Sequence, residues 1–172
     1  MSQGFTGVND FVRGYWMLQV QGVKLYPSNS AARIDAGTAV WRLLFSSTTQ
    51  QYGVWQFLMP NDYNSNPTMR ISWGVDSGMS VARSVTWLVD QWSYTPFLAN
   101  TSIYVDTYGG ANSFALALSA GYSSGTVQFM TIPLATVVSM GANNLTKLRI
   151  SVTGGYVGNA ELYGAMLDYQ RD

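Results

Sequence analysis

Thr68-Met69-Arg70-Ile71-Ser72-Trp73-Gly74-Val75 is the stretch that decides the fold class. Met69, Ile71, Trp73 and Val75 take one phase of the alternation, and Thr68, Arg70, Ser72 and Gly74 take the other. Successive strand side chains point to opposite faces, so this is an antiparallel strand buried on one side and wet on the other. Lys147 to Thr153 repeats the pattern, with Leu148, Ile150 and Val152 inward and Lys147, Arg149, Ser151 and Thr153 outward. Val81 to Asp90 alternates Val81, Arg83, Val85, Trp87 and Val89 against small or polar residues, which puts Arg83 on the apolar side and requires a partner or an edge position for it. Trp55, Phe57, Ile71, Trp73, Val85, Trp87, Leu148, Ile150 and Val152 are the expected core.

Working outward, shorter segments of the same kind run from Tyr15 to Val20, Val23 to Tyr26, Thr38 to Phe45, Val54 to Met59, Ser102 to Asp106, Ser113 to Ser119, Thr126 to Thr131 and Glu161 to Tyr169. Turn-forming stretches separate them: Pro27 to Ser30, Pro60 to Pro67, Tyr108 to Gly110, Gly121 to Gly125 and Gly154-Gly155. Roughly nine or ten strands at this spacing predict an all-β, antiparallel sandwich. One short helix is expected over Pro133 to Met140, with proline at its first position and Gly141 ending it. Residues 1–14, with Gly4, Gly7 and Gly14, read as an extended arm, and residues 15–172 as a single domain.

Composition narrows the function. Of the 172 residues, 10% are charged, with 9 basic and 9 acidic side chains, against about 25% in ordinary soluble domains. A hydrophobic content of 47% marks a folding chain. The mostly neutral surface does little to repel neighbours and suits a homo-oligomer or a permanent assembly. With neither cysteine nor histidine, disulfides, thiol nucleophiles, Ser-His triads and the usual zinc ligand sets drop out, and no cofactor is expected. Zero net charge without a basic cluster speaks against a nucleic-acid partner. No run approaches the roughly 20 apolar residues of a membrane helix. The amino end lacks the basic and apolar regions of a signal peptide, so a cytoplasmic site of assembly is expected.

Carboxylates are the remaining catalytic material. Glu161 is the sole glutamate beside eight aspartates, and a glycosidase needs two carboxyl groups facing one sugar bond. Glu161 and Asp168 are seven apart, which on a regular strand turns them to opposite faces. No catalytic residue is therefore nominated. Asp62-Tyr63-Asn64-Ser65-Asn66 opens like a calcium loop, but Pro67 stands where the glycine should be and Trp73 where the closing glutamate should be. A turn bonding its own backbone is the expected reading, and no metal site is nominated. Gln91-Trp92-Ser93-Tyr94-Thr95-Pro96-Phe97 reads as an aromatic loop. Trp92, Tyr94 and Phe97, with Phe5 and Phe11 of the arm, are the candidate interface residues.

Five motifs in order carry a resemblance: WQFLMPNDY (Trp55 to Tyr63), ISW (Ile71 to Trp73), Val85-x-Trp87, LRISVT (Leu148 to Thr153) and NAELYGAMLDY (Asn159 to Tyr169). They resemble the small jelly-roll virion structural proteins of tailed bacteriophages, over roughly two thirds of the chain. The resemblance implies a jelly-roll sandwich and a non-enzymatic virion protein, foremost a capsid decoration or cement protein whose partners are the major capsid protein and copies of itself. Its alternative is a receptor- or carbohydrate-binding jelly roll of a phage fibre, with a glycan as partner. It carries no catalytic residue and no cofactor.

Overall fold

The structure is a computed structural model that describes residues 13–19, 24–25, 33–35, 41–78, 81–94, 112–118, 122–134 and 140–172. Within these the chain is all β: β1 (Arg13–Leu18), β2 (Lys24–Leu25), β3 (Arg33–Asp35), β4 (Arg42–Ser46), β5 (Tyr52–Leu58), β6 (Tyr63–Val75), β7 (Arg83–Tyr94), β8 (Asn112–Leu118), β9 (Gln128–Pro133), β10 (Leu145–Gly154) and β11 (Asn159–Arg171). Every pairing is antiparallel. One sheet runs β3-β4-β11-β6-β9, and β1 joins it on β11; the other runs β2-β5-β10-β7-β8. From β4 the chain crosses to the opposite sheet at every step except β7 to β8. This is the wrapping of a jelly roll.

The phases read from the sequence set the packing. Met69, Ile71, Trp73 and Val75 of β6 face Val85, Trp87 and Val89 of β7 across the sandwich, and all are buried. The ring of Trp73 meets that of Trp87 edge-on at 5.7 Å, and Phe45 of β4 meets Trp87 at 5.4 Å. Leu148, Ile150 and Val152 complete the far wall. Trp55 is buried too, and its indole donates to the Gln19 carbonyl at 2.9 Å, tying the end of β1 to the opposite sheet.

Several expectations are corrected. Phe57 is only partly buried, because β5 reaches the sandwich margin there and its ring stacks on Trp16 at 6.1 Å. Arg83 opens β7 at the exposed strand end, so its apolar phase leads into solvent. Pro60 to Pro67 is a turn only at its start. From Tyr63 the chain is already β6, bulged against β11 where Asn66 takes φ 51°, and a bulge is where a strand accommodates a residue such as Pro67. Asn66 and Ser65 donate across the sheet to Gln170, each at 2.7 Å, instead of to their own backbone. Arg13 and Gly14, read as arm, belong to β1, where Gly14 lies so close over the Tyr169 ring that a Cβ would collide with it. Residues 1–12 of the arm and the strand expected at Ser102 to Asp106 lie outside the described residues. Of the expected helix, Pro133 instead ends β9, and residues 135–139 are outside the description.

Candidate functional site

The solvent face of the first sheet carries the side chains that the core does not use. Register places them in cross-strand rows. Tyr15 stands beside Asp168 and Thr68; Met17 beside Met166, Arg70 and Thr131; and Gly164 beside Ser72 and Phe129. The row of Gly164 and Ser72 has almost no side chain, so it forms the floor of an open trough of about 550 Å³. Met17, Met166, Arg70 and Thr131 bound one side and Phe129 the β9 end. A Cβ on Gly164 would come within 3.2 Å of the Ser72 hydroxyl and begin to fill that floor. Phe129 is 79% exposed, Met17 64% and Tyr15 55%, so the apolar groups here stand out from the surface.

The polar part is organised around one carboxylate. Asp168 is wholly buried at the base of the sheet face, where Arg13 donates to its Oδ1 and the Arg70 Nη2 lies 2.5 Å from its Oδ2. The Arg70 contact is an ion pair without the angle of a good hydrogen bond. The Arg70 guanidinium also lies 6.0 Å from the Tyr15 ring centre, within cation–π range. A charge below and a ring beside it fix the head of Arg70 at the trough wall, with further N–H donors of its planar fork available to a ligand.

A second carboxylate shares this face. Glu161 is buried, accepts from Arg42, and accepts from the Tyr163 hydroxyl at 2.5 Å. The parity argument from sequence is overturned here: β11 slips register between Leu162 and Gly164, so Tyr163 is an extra residue and turns Glu161 to the same side as Asp168. The two stand opposite Gly74 and Thr68 of β6, hence roughly 20 Å apart along the strand at about 3.3 Å per residue. Paired glycosidase carboxylates lie within about 5–9.5 Å, so these two do not form such a pair.

Burial pushes the Tyr163 hydroxyl well above its ordinary range, and its bond to Glu161 adds to the effect. Tyr156, which donates to the carbonyls of Phe45 at 3.2 Å and Ser46 at 3.0 Å, is pushed up to about 12 mainly by burial, with the Asp76 charge adding. In the unfolded chain these phenols ionise near pH 10. Their stabilisation is therefore complete below that pH and is lost as pH rises toward the folded values. Chemical denaturation should show stability falling between pH 9 and 11, and Tyr156→Phe should lose about 1 kcal/mol less over that interval. Equal pH slopes for the two proteins would remove Tyr156 from this effect.

Of the residues nominated from sequence, Phe5, Phe11 and Phe97 lie outside the described residues. The aromatic segment is not a loop as far as Tyr94: Gln91 to Tyr94 continue β7 and pair with β10. Trp92 therefore lies on the outer face of the second sheet, with the Lys147 ammonium 5.1 Å from its ring centre. Beside it Arg149 donates to Asp90 at 2.6 Å and lies 4.7 Å from the Tyr52 ring centre. In the calcium-like stretch, Asp62 accepts from the Tyr169 hydroxyl at 3.1 Å and pairs with Arg171 at 2.5 Å. Among the described residues no group of three potential metal ligands converges. Tyr15, Met17, Arg70 and Phe129 were not nominated from sequence. Their signal was present as bulky side chains on the wet phase: Phe129 and Thr131 alternate against the buried Met130 and Ile132.

By sequence the chain matches no family model and no curated protein. Among solved structures it is similar to a family 11 carbohydrate-binding module from Clostridium thermocellum in complex with a β-1,3-1,4-mixed-linked tetrasaccharide, with 10% identity, TM-score 0.45, and 95% of this chain and 91% of that one covered. TmCBM61 in complex with β-1,4-galactotriose shares 12% identity at TM-score 0.37, over 92% of this chain and 88% of that one. The enzymatically active domain of tailspike protein 4 of bacteriophage CBA120 shares 10% identity at TM-score 0.35, over 95% of this chain but only 20% of that one.

Proposed function

We propose that the chain is a non-enzymatic carbohydrate-binding module whose ligand lies along the trough of the first sheet. The observation that carries this reading is the group of exposed aromatic and thioether side chains around a floor of glycine and serine, beside an arginine fixed by a buried carboxylate. A sugar ring has an apolar C–H face and a rim of hydroxyls. Tyr15 and Phe129 supply flat apolar surfaces for the first, and Arg70, Ser72 and Thr131 supply hydrogen bonds for the second. All five are mounted on strands, whose paired backbones hold the spacing before a ligand arrives. The trough is open along the sheet, which suits a stretch of polysaccharide passing over it.

Truncating Phe129 tests the site without disturbing the core, since an exposed side chain contributes within about 0.5 kcal/mol to stability. Phe129→Ala should bind polysaccharide at least about tenfold more weakly in affinity electrophoresis, a loss of about 1.4 kcal/mol, while its melting temperature stays with the parent. Undiminished binding in both Phe129→Ala and Tyr15→Ala would place the ligand elsewhere.

The likeness of the strand motifs to tailed-phage virion proteins supports placing this module on a virion as a reader of the host surface. Quantitative mass spectrometry of purified particles separates that role from head decoration. A few copies per particle fits a fibre or vertex component, whereas a simple fraction of the capsid subunit count would return the cement reading.

A further inference from the structure

The charge lining the trough narrows what kind of glycan it takes. Arg70 of β6 lines it, and behind Arg70 lies Asp168 of β11, which also receives Arg13 of β1 outside the lining. Two guanidinium groups share that one carboxylate, and Arg70 is the charged side chain in the lining. Outside the lining, Arg42 pairs with Glu161 and Arg171 with Asp62. The distribution of burial sharpens the asymmetry: the Asp168 side chain is 0% exposed, while those of Arg13 and Arg70 are 37% and 48% exposed. A ligand on this surface meets the arginines and not the acid. In a chain with zero net charge and 10% charged residues, a half-exposed guanidinium as the charged group lining an open trough is a local exception.

We infer that the trough selects acidic saccharides, chains whose sugars carry carboxylates, with Arg70 as the group that pairs with the sugar carboxylate and Tyr15 and Phe129 as the surfaces that carry the rings. This rests on the carbohydrate-binding reading above and specifies its ligand class. A planar guanidinium presents two parallel N–H groups to a carboxylate, geometry that a neutral hydroxymethyl group cannot use as fully. Arg70 is held for this by Asp168 on one side and Tyr15 on the other.

The test is affinity electrophoresis of the full chain in gels containing polygalacturonate, alginate or hyaluronan, run against gels with galactan, mannan or mixed-linkage glucan. At least one acidic polymer is expected to retard the chain by about tenfold more than any neutral one, and that retardation should weaken several-fold in 0.5 M salt, where the Debye length falls toward about 3 Å. Arg70→Gln should lose the preference, and Arg70→Lys should restore part of it by returning the charge without the fork. The melting temperatures of both variants report whether the fold has survived. Retardation by neutral polymers equal to or above that by acidic ones overturns the charge selection and leaves the carbohydrate reading standing. Retardation by none of the six overturns both. Retention of the acidic preference in a folded Arg70→Gln variant overturns the assignment to Arg70.

Discussion

Trp73→Ala is expected to unfold the domain or to cost about 3–5 kcal/mol, the range for emptying a buried aromatic site. The residue sits at the middle of the sandwich, wholly buried, and its ring is the one that meets Trp87 from the opposite sheet. Removing it leaves a cavity between the sheets that cannot collapse without moving β6, and β6 pairs with β11 on one side and β9 on the other. Trp73→Phe separates shape from size. The indole N–H of Trp73 has no hydrogen-bond partner among the described residues, so phenylalanine removes an unsatisfied buried donor while keeping most of the ring. It should cost less than about half as much as the alanine variant. A melting temperature for Trp73→Ala within a few degrees of the parent would take Trp73 out of the core.

Asp168→Asn is expected to lower stability by about 2–3 kcal/mol and to weaken glycan binding about tenfold. The substitution keeps the shape and removes the charge that Arg13 and Arg70 share. Because both guanidinium groups are partly exposed, water recovers some of their energy, which holds the cost below that of a fully enclosed pair. Binding falls because Arg70 is no longer held at the trough wall, even though the local positive charge rises. Denaturant titration and affinity electrophoresis on the same preparation distinguish the two effects. Unchanged or tighter binding would mean that Asp168 has no positioning role.

The sandwich was legible because its evidence is local. Alternation at Thr68 to Val75 and Lys147 to Thr153 needs nothing beyond neighbouring residues, and the inward phases of both segments are buried as expected. The site was not legible, for two reasons of geometry. The rows that make the trough join β1, β11, β6 and β9, strands far apart in sequence, and a one-residue error in any register would scatter them. The bulge at Tyr163 also reverses parity within one strand, and nothing in Ala160-Glu161-Leu162-Tyr163-Gly164 sets it apart from regular alternation except a glycine. Aromatics mislead in a third way. Trp92 reads from sequence as part of an aromatic loop whose rings cannot all bury, whereas it lies on β7 with its ring partly covered by the Lys147 side chain on β10.

The pairing of β1 with β11 has a temporal meaning. A chain is made in order, and the carboxylate that receives Arg13 lies 155 residues after it. Until Asp168 has left the ribosome, Arg13, Tyr15 and Met17 have no strand to dock on and Arg70 has no counter-charge. A nascent or prematurely terminated product therefore has no trough, however well its middle strands have paired. Contacts of such long sequence separation are also among the slowest to close. Binding competence therefore waits on β11, so it reports on synthesis through Asp168 as well as on the sequence that precedes it.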